Sequence, residues 1–356
     1  MDRKSDVLLQ VKDLSVQYPG KDGTVNAVCH ADFEVRRGEV LGIVGESGSG
    51  KSTVAYAMMR LLKKAGRVTG GSVIYEGRDI LTFSDRDLQS LRGSEIGMIF
   101  QDPMQCLDPV YTIGAQLTET LRAHQNIEKE QARRQAVEML ARVGLNEPEK
   151  LLKRYSFELS GGMQQRVMIA MALLCGPKLL IADEATTALD VTVQDQILQL
   201  LKKLRRERGM AMILITHNFG IVSEICDRVC VMYGGHVMEE GPVDEVFYRA
   251  AHPYTKSLIA AIPKADPLHI ERLLPIPGAP IDPYRPPSGC VFHPRCTQCM
   301  DCCSESVPPL AEVGEGHKAR CHLLTAGKAP GTEENSRKGA SEVPETADDH
   351  IREGGA

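Results

Sequence analysis

The chain has 356 residues, 42% of them hydrophobic and 25% charged, enough for a large core and about two domains. Its net charge of -5 gives no general attraction to nucleic acid or to an anionic lipid surface, so any membrane association should come through a protein partner. No stretch has the apolar length of a membrane span, and Met1 to Asp6 lack the apolar core of a signal peptide; a cytosolic protein is expected.

The chain opens on an antiparallel β pattern. Leu9, Val11, Leu14 and Val16 predict a strand over Val7 to Tyr18, and a second follows from Thr24 to Val35, with Pro19 to Gly23 as the turn. Tyr18 ends the first strand, where its ring is placed either to lie against a nucleobase or to be a plain edge aromatic. The apolar run Val40 to Val44 suits a strand buried on both faces, and Val54 to Leu62 suits a helix. Between them stands Gly45-Glu46-Ser47-Gly48-Ser49-Gly50-Lys51-Ser52-Thr53, the G-x-x-x-x-G-K-[ST] pattern of a phosphate-binding loop. Its glycines let the backbone N–H groups turn inward onto phosphate oxygens, Lys51 adds a positive charge, and Ser52 offers a hydroxyl to Mg²⁺.

A strand over Gly71 to Tyr75, a short polar helix and a strand over Ile96 to Phe100 follow, the last ending in Gln101, which is placed to reach a metal ion and a partner's surface. From Ile113 to Arg154 the pattern is helical, with Ala132, Ala136, Met139, Leu140 and Val143 on one stripe. Leu159-Ser160-Gly161-Gly162-Met163-Gln164 then opens another helix whose capped, glycine-rich start is a second candidate anion site. The apolar strand Lys178 to Ala182 ends in Asp183 and Glu184, the first suited to Mg²⁺ through water and the second to polarising a water for attack on a γ-phosphate. A helix with Val193, Ile197, Leu200, Leu201 and Leu204 on its core stripe leads to the strand Met210 to Thr216, capped by His217. Val229 to Tyr233 and His236 to Glu239 read as a hairpin about Gly234-Gly235.

Beyond this the chain changes character. Leu274 to Pro287 is proline-rich and extended. Of eleven cysteines, Cys290, Cys296, Cys299, Cys302, Cys303 and Cys321 fall in one segment, which in a reducing compartment points to metal and not to disulfides. From Thr325 to Ala356 almost no large apolar residue occurs, and disorder is expected.

With its motifs in this order, the chain resembles an ABC-type ATPase subunit from about Leu8 to Phe247, the Ala188-Leu189-Asp190 loop included. The form Leu159-Ser160-Gly161-Gly162-Met163-Gln164-Gln165-Arg166, His252-Pro253-Tyr254-Thr255 and the cysteine segment narrow the resemblance to the ATP-binding subunits of di- and oligopeptide importers.

The resemblance implies an α/β P-loop ATPase domain over 7–250, with a RecA-like core, an antiparallel β subdomain and a helical subdomain at about 104–175. A C-terminal extension over 251–324 and a tail over 325–356 complete the chain. It implies a head-to-tail ATPase dimer. Gly45, Ser47, Gly48, Ser49, Gly50, Lys51, Ser52, Thr53 and Tyr18 would bind ATP, while Ser160, Gly161, Gly162 and Gln164 would meet the ATP of the partner subunit. Ser52, Gln101 and Asp183 would hold Mg²⁺, and Glu184, His217 and Gln101 would be catalytic. Asn218 departs from the Asp that close relatives often carry. The partners implied are a second, related but heterologous ATPase subunit, two transmembrane permeases and an extracytoplasmic substrate-binding protein, with the chain peripheral on the cytoplasmic face of the membrane.

For the extension, the resemblance suggests a [4Fe–4S] cluster on Cys290, Cys296, Cys303 and Cys321. Cys299 and Cys302 add a C-x2-C-x2-C run, so they are alternative ligands, and Zn²⁺ is the rival metal. Nickel or glutathione import, a soluble ABC ATPase and a metal or redox sensor are the alternative functions.

Overall fold

The computed structural model describes residues 6–63, 65–184, 191–262 and 276–325. The Ala188-Leu189-Asp190 loop and the tail beyond 325 lie outside them.

The first two strands, β1 (Val7–Gly20) and β2 (Gly23–Arg36), pair antiparallel around Lys21-Asp22. After β3 (Val40–Val44) come β4 (Arg67–Tyr75) and β5 (Arg78–Asp79), which join the first two in a sheet of order β2-β1-β4-β5. This is the antiparallel subdomain expected from the alternating pattern.

The main sheet takes β3 with β6 (Ile96–Ile99), β7 (Leu179–Asp183), β8 (Ala211–Thr216), β9 (Arg228–Tyr233), β10 (His236–Pro242), β11 (Leu310–Gly314) and β12 (His317–Arg320). Its order is β11-β12-β10-β9-β3-β8-β7-β6. The pairs β3–β8, β3–β9, β7–β8 and β6–β7 are parallel, and β3, β6, β7 and β8 are buried along their whole length, as strands covered on both faces must be. Such a sheet presents the carboxyl ends of its strands at one edge, which is where ligands bind in open α/β sheets.

Helices Ile113–His124, Lys129–Arg142 and Gly161–Leu173 form the expected helical insert. Ala132, Ala136, Met139 and Leu140 are its buried stripe. The helix after the phosphate loop is shorter than its apolar pattern suggested, running from Lys51 to Met58. It stops there because Arg92 donates to the carbonyls of Met59 and Arg60 (2.7–3.0 Å), satisfying groups that a continuing helix would have bonded. Among the described residues, no helix is long and apolar enough to cross a membrane.

The C-terminal segment is built into the core. β12 pairs with β10, and Cys290, Val291, Phe292 and Cys303 share a buried apolar cluster with Tyr233, Met238 and Tyr254. A polar lock reinforces the join. His317 Nε2 lies 2.7 Å from Glu239 Oε1, and Glu239 also accepts the N–H groups of Ala251 (2.7 Å) and His252 (2.9 Å). Burial works to raise the pKa of Glu239, but these donors bring it below the ordinary carboxylate value.

His252 caps helix Pro253–Ala260 by accepting the N–H of Tyr254 at Nδ1. It is buried, with Nε2 unpartnered among the described residues, and burial pushes its pKa down to about 4 from 6.5, against the attraction of Glu239 and with the repulsion of Lys256. The folded-state value lies below the unfolded one, so the stability tied to His252 is complete above about pH 6.5 and is lost as the pH falls toward 4. In His252→Asn, which keeps a capping acceptor but does not titrate, the thermal midpoint should fall less between pH 7.5 and 5 than in the wild type. An equal fall in both proteins would sink this assignment.

Candidate functional site

The phosphate loop sits at the carboxyl end of β3 and needs glycine at defined places. Gly45, Gly48 and Gly50 have φ of 153°, 80° and 99°. A Cβ on Gly45 would stand 2.1 Å from the Met232 carbonyl oxygen, and one on Gly50 would stand 2.4 Å from that of Ala27. The loop is thus pressed against β9 and β2 and presents its other side to a cavity of about 510 Å³. The cavity is lined by residues 46 to 53 together with Gln101, Glu184, Asn26 and Ala27. A larger cleft of about 1170 Å³, bounded by Lys12, Glu34, Arg249 and Glu315, carries charges of both signs and lies away from this chemistry.

Lys51 is buried, and its Nζ donates to the carbonyls of Gly45 (2.8 Å) and Glu46 (2.9 Å). Burial lowers its pKa, opposed by the charges of Glu184, Asp183 and Glu46. Ser52 donates its hydroxyl to Asp183 Oδ1 at 2.9 Å, while Asp183 Oδ2 is buried with no close hydrogen-bond partner among the described residues, the Tyr56 hydroxyl being its neighbour. Burial pushes the Asp183 carboxyl up, against the Ser52 hydrogen bond and with the repulsion of Glu184. A buried, half-satisfied carboxylate beside a serine hydroxyl fits a hard cation such as Mg²⁺, which takes oxygen ligands.

Glu184 follows in left-handed backbone, φ 46°, its N–H donating to the Ile215 carbonyl at 2.9 Å. That conformation costs a non-glycine residue about 1–3 kcal/mol and persists at functional sites when the surroundings enforce it. Here it turns the carboxylate into the cavity. Gln101 Nε2 donates to Glu184 Oε2 at 2.9 Å, and His217 Nδ1 lies 3.3 Å from Oε1. Residues from the ends of β6, β7 and β8 therefore converge on one carboxylate. Asn218 caps helix Phe219–Ile225 by accepting the Gly220 N–H at 2.9 Å, so the departure from Asp keeps a capping oxygen.

Other expected residues stand elsewhere. Ser160 caps helix Gly161–Leu173, accepting the Met163 N–H at 3.4 Å; Ser160 and Gly161 are exposed, and with Gly162 they stand apart from the cavity lining. Within one chain the signature does not meet the phosphate loop. Gln164 is buried, its amide donating to the carbonyls of Ser156 (2.8 Å) and Leu159 (3.4 Å), so it braces the turn before the signature and does not face outward. Tyr18 also stands apart from the lining residues. Its ring packs against Gly66, where a Cβ would be 2.6 Å from Cε1.

A further wall of the cavity comes from the distant proline-rich segment: Pro280, Ile281, Pro283 and Pro286 line it. Tyr284 rests on the β1–β2 turn, its Oη 3.2 Å from a Cβ built on Gly20. No local pattern announced this. The rigid extended backbone of X-Pro steps was the signal available, and it specifies shape without a docking place.

Among the described residues no group of three or more His, Cys, Asp or Glu side chains could hold a metal ion, so the geometry lends no support to a zinc site or a cluster in the cysteine segment. The thiols are nonetheless neighbours. Burial raises the pKa of Cys290 to about 11, with Cys303, Cys321 and Cys296 adding to it, and Cys296 and Cys321 are raised by burial and by others of the same four. Cys290, Cys303 and Cys321 are buried, Cys296 is partly so, and Cys299 is exposed.

Comparison with known proteins agrees with this geometry. A family model described as "ABC transporter" matches residues 28–187, and one described as "Oligopeptide/dipeptide transporter, C-terminal region" matches 238–303. The oligopeptide transport ATP-binding protein OppD of Escherichia coli (strain K12) is 51% identical over 319 residues, covering 90% of this chain and 94% of that protein. OppD of Bacillus subtilis (strain 168) is 46% identical over 318 residues, covering 89% of each. Among solved structures, the dimeric post-hydrolysis state of the ATP-binding cassette MJ0796 bound to ADP and Pi aligns with a TM-score of 0.61 at 30% identity, covering 66% of this chain and 99% of that one.

Proposed function

The chain belongs to the oligopeptide transport ATP-binding proteins of the ABC transporter family, and we propose that it hydrolyses ATP to energise import of di- and oligopeptides. The observation that carries this reading is the convergence of Gln101 and His217 on Glu184 beside Lys51, with the signature exposed on another face of the chain.

In this reading the backbone N–H groups of residues 48 to 52 and the Lys51 ammonium bind the phosphates. Ser52, Asp183 and Gln101 would hold Mg²⁺, which when bound neutralises phosphate charge. Glu184 accepts the proton of the attacking water, Gln101 and His217 orient its two oxygens, and the exposed Ser160-Gly161 start of a second subunit closes the site head to tail. The dimer needs both chains at each site, so ATP binding draws the subunits together and hydrolysis separates them.

Met104, Val110, Tyr111 and Phe157 are exposed apolar side chains, and we read them as the surface on which the permease subunits would dock. An extracytoplasmic binding protein would deliver the peptide, and the chain would lie on the cytoplasmic side of the membrane. For the cysteine segment we read Cys290, Cys296, Cys303 and Cys321 as ligands of a [4Fe–4S] cluster. Support comes from the resemblance in the cysteine segment. Iron and acid-labile sulfide analysis after anaerobic purification tests it, and zinc without sulfide would replace it.

The transport reading is tested by reconstitution with the co-purifying permeases and binding protein. Peptide-loaded binding protein should stimulate ATP hydrolysis several-fold, and Val110→Asp with Phe157→Asp should abolish that stimulation while basal hydrolysis persists. Stimulation by a nickel- or glutathione-loaded binding protein, with none by peptide, would overturn it.

A further inference from the structure

The phosphate loop contains an acidic residue at a place where ATP brings negative charge. Glu46 lines the cavity and immediately follows Gly45, and its backbone carbonyl accepts the Lys51 ammonium at 2.9 Å. An unpaired carboxylate here would repel a polyphosphate. It is not unpaired. Arg295, which lies 249 positions further along the chain and next to Cys296, grips it with both arms of the guanidinium: Nη1 to Oε2 at 2.6 Å and Nη2 to Oε1 at 3.1 Å. The Arg295 side chain is 5% exposed and that of Glu46 28%.

Arg295 is itself fixed. Its Nε donates to the Pro277 carbonyl at 2.8 Å, and Nη1 also donates to Tyr233 Oη at 3.1 Å. Tyr233 packs with Tyr254 and Phe292, ring centroids 4.6 and 5.3 Å apart, and Tyr254 Oη accepts the Glu46 N–H at 3.0 Å. Glu46 is thus tied by its side chain, its N–H and its carbonyl to three different parts of the chain.

We propose that Arg295 is a positioning residue of the nucleotide site: it acts through Glu46, neutralising that carboxylate and turning it from the phosphates, so that ATP affinity depends on the C-terminal segment being docked. The proposal rests on the ATP-binding reading. A planar, two-armed guanidinium suits the task better than an ammonium, because it fixes the carboxylate plane as well as its charge.

The experiment measures MgATP binding at low and high salt, together with KM and kcat, for the full-length wild type, R295Q, R295K, E46Q and E46Q/R295Q. R295Q should weaken ATP binding at least tenfold, equivalent to about 1.4 kcal/mol, chiefly in KM and more at low salt. R295K should lose less, and E46Q/R295Q should regain most of the affinity because the exposed charge is gone. Should R295Q fail to fold, E46Q alone decides: it leaves Arg295 unpaired beside the site and should bind ATP more tightly than wild type at low salt. Wild-type affinity in R295Q, a double variant no better than R295Q, or an E46Q that binds no more tightly would each overturn the proposal. A wild type that binds no ATP would instead overturn the nucleotide reading beneath it.

Discussion

Glu184→Gln should lower ATP hydrolysis by about 10²–10⁴-fold while ATP binding is retained, the range expected when a positioned general base is removed. The substitution keeps length and shape, so the left-handed backbone at φ 46° and the N–H bond to Ile215 are unaffected. It removes the ability to take a proton. Gln101 now donates to Oε2 of the carboxylate, and a glutamine at 184 meets that donor with its carbonyl oxygen, leaving its own amide toward His217. The site should therefore stay assembled around bound ATP, and the closed dimer should outlast that of the wild type. Phosphate release and ATP-dependent dimerisation measured side by side check both parts. Hydrolysis within tenfold of wild type would assign the base elsewhere.

Gly45→Ala should remove ATP binding by at least a hundredfold and lower stability by roughly 3 kcal/mol, in the range of substitutions that force a collision in a packed core. The added methyl would be 2.1 Å from the Met232 carbonyl oxygen and 2.8 Å from Ser49 Oγ. Met232 is fully buried in β9, which pairs with β3 on the loop's own side, so the strand cannot yield and the loop must. Gly48 is the internal control. A Cβ there meets nothing within 4 Å, although φ is 80°, so Gly48→Ala carries only the backbone cost of about 1–2 kcal/mol. Nucleotide titration and thermal melting of the two variants should separate them clearly. Equal effects would mean that backbone conformation, and not the contact with β9, sets the loop's shape.

Much of this arrangement could be read from the chain. Val40–Val44 and Leu179–Asp183 announced themselves because a strand buried on both faces has to be apolar throughout, and the groups at their carboxyl ends stand out against that background. The helical insert was legible from its stripe for the same reason. Interactions that join remote parts of the chain were not. The early end of helix Lys51–Met58 depends on Arg92, and one wall of the cavity on Pro280 to Pro286; neither leaves a local periodicity. β11 and β12 escaped notice because β11 is half-exposed or exposed at every position and so carries no apolar alternation. Gln164 shows the converse: it stands within the signature motif, yet packing directs its amide onto Ser156.

The pairing of β12 with β10 bears on how the protein is made. β10 leaves the ribosome with Glu239 and Glu240 on a strand whose outer edge has no partner until His317 to Arg320 follow, and both carboxylates are buried in the finished fold. During that interval the nascent ATPase core has an open sheet edge, but one bearing acidic side chains that resist pairing with another chain. The sheet therefore closes only once β12 has followed the segment that carries Arg295, and a chain that stops short of His317 keeps a β10 edge guarded by its acidic side chains alone.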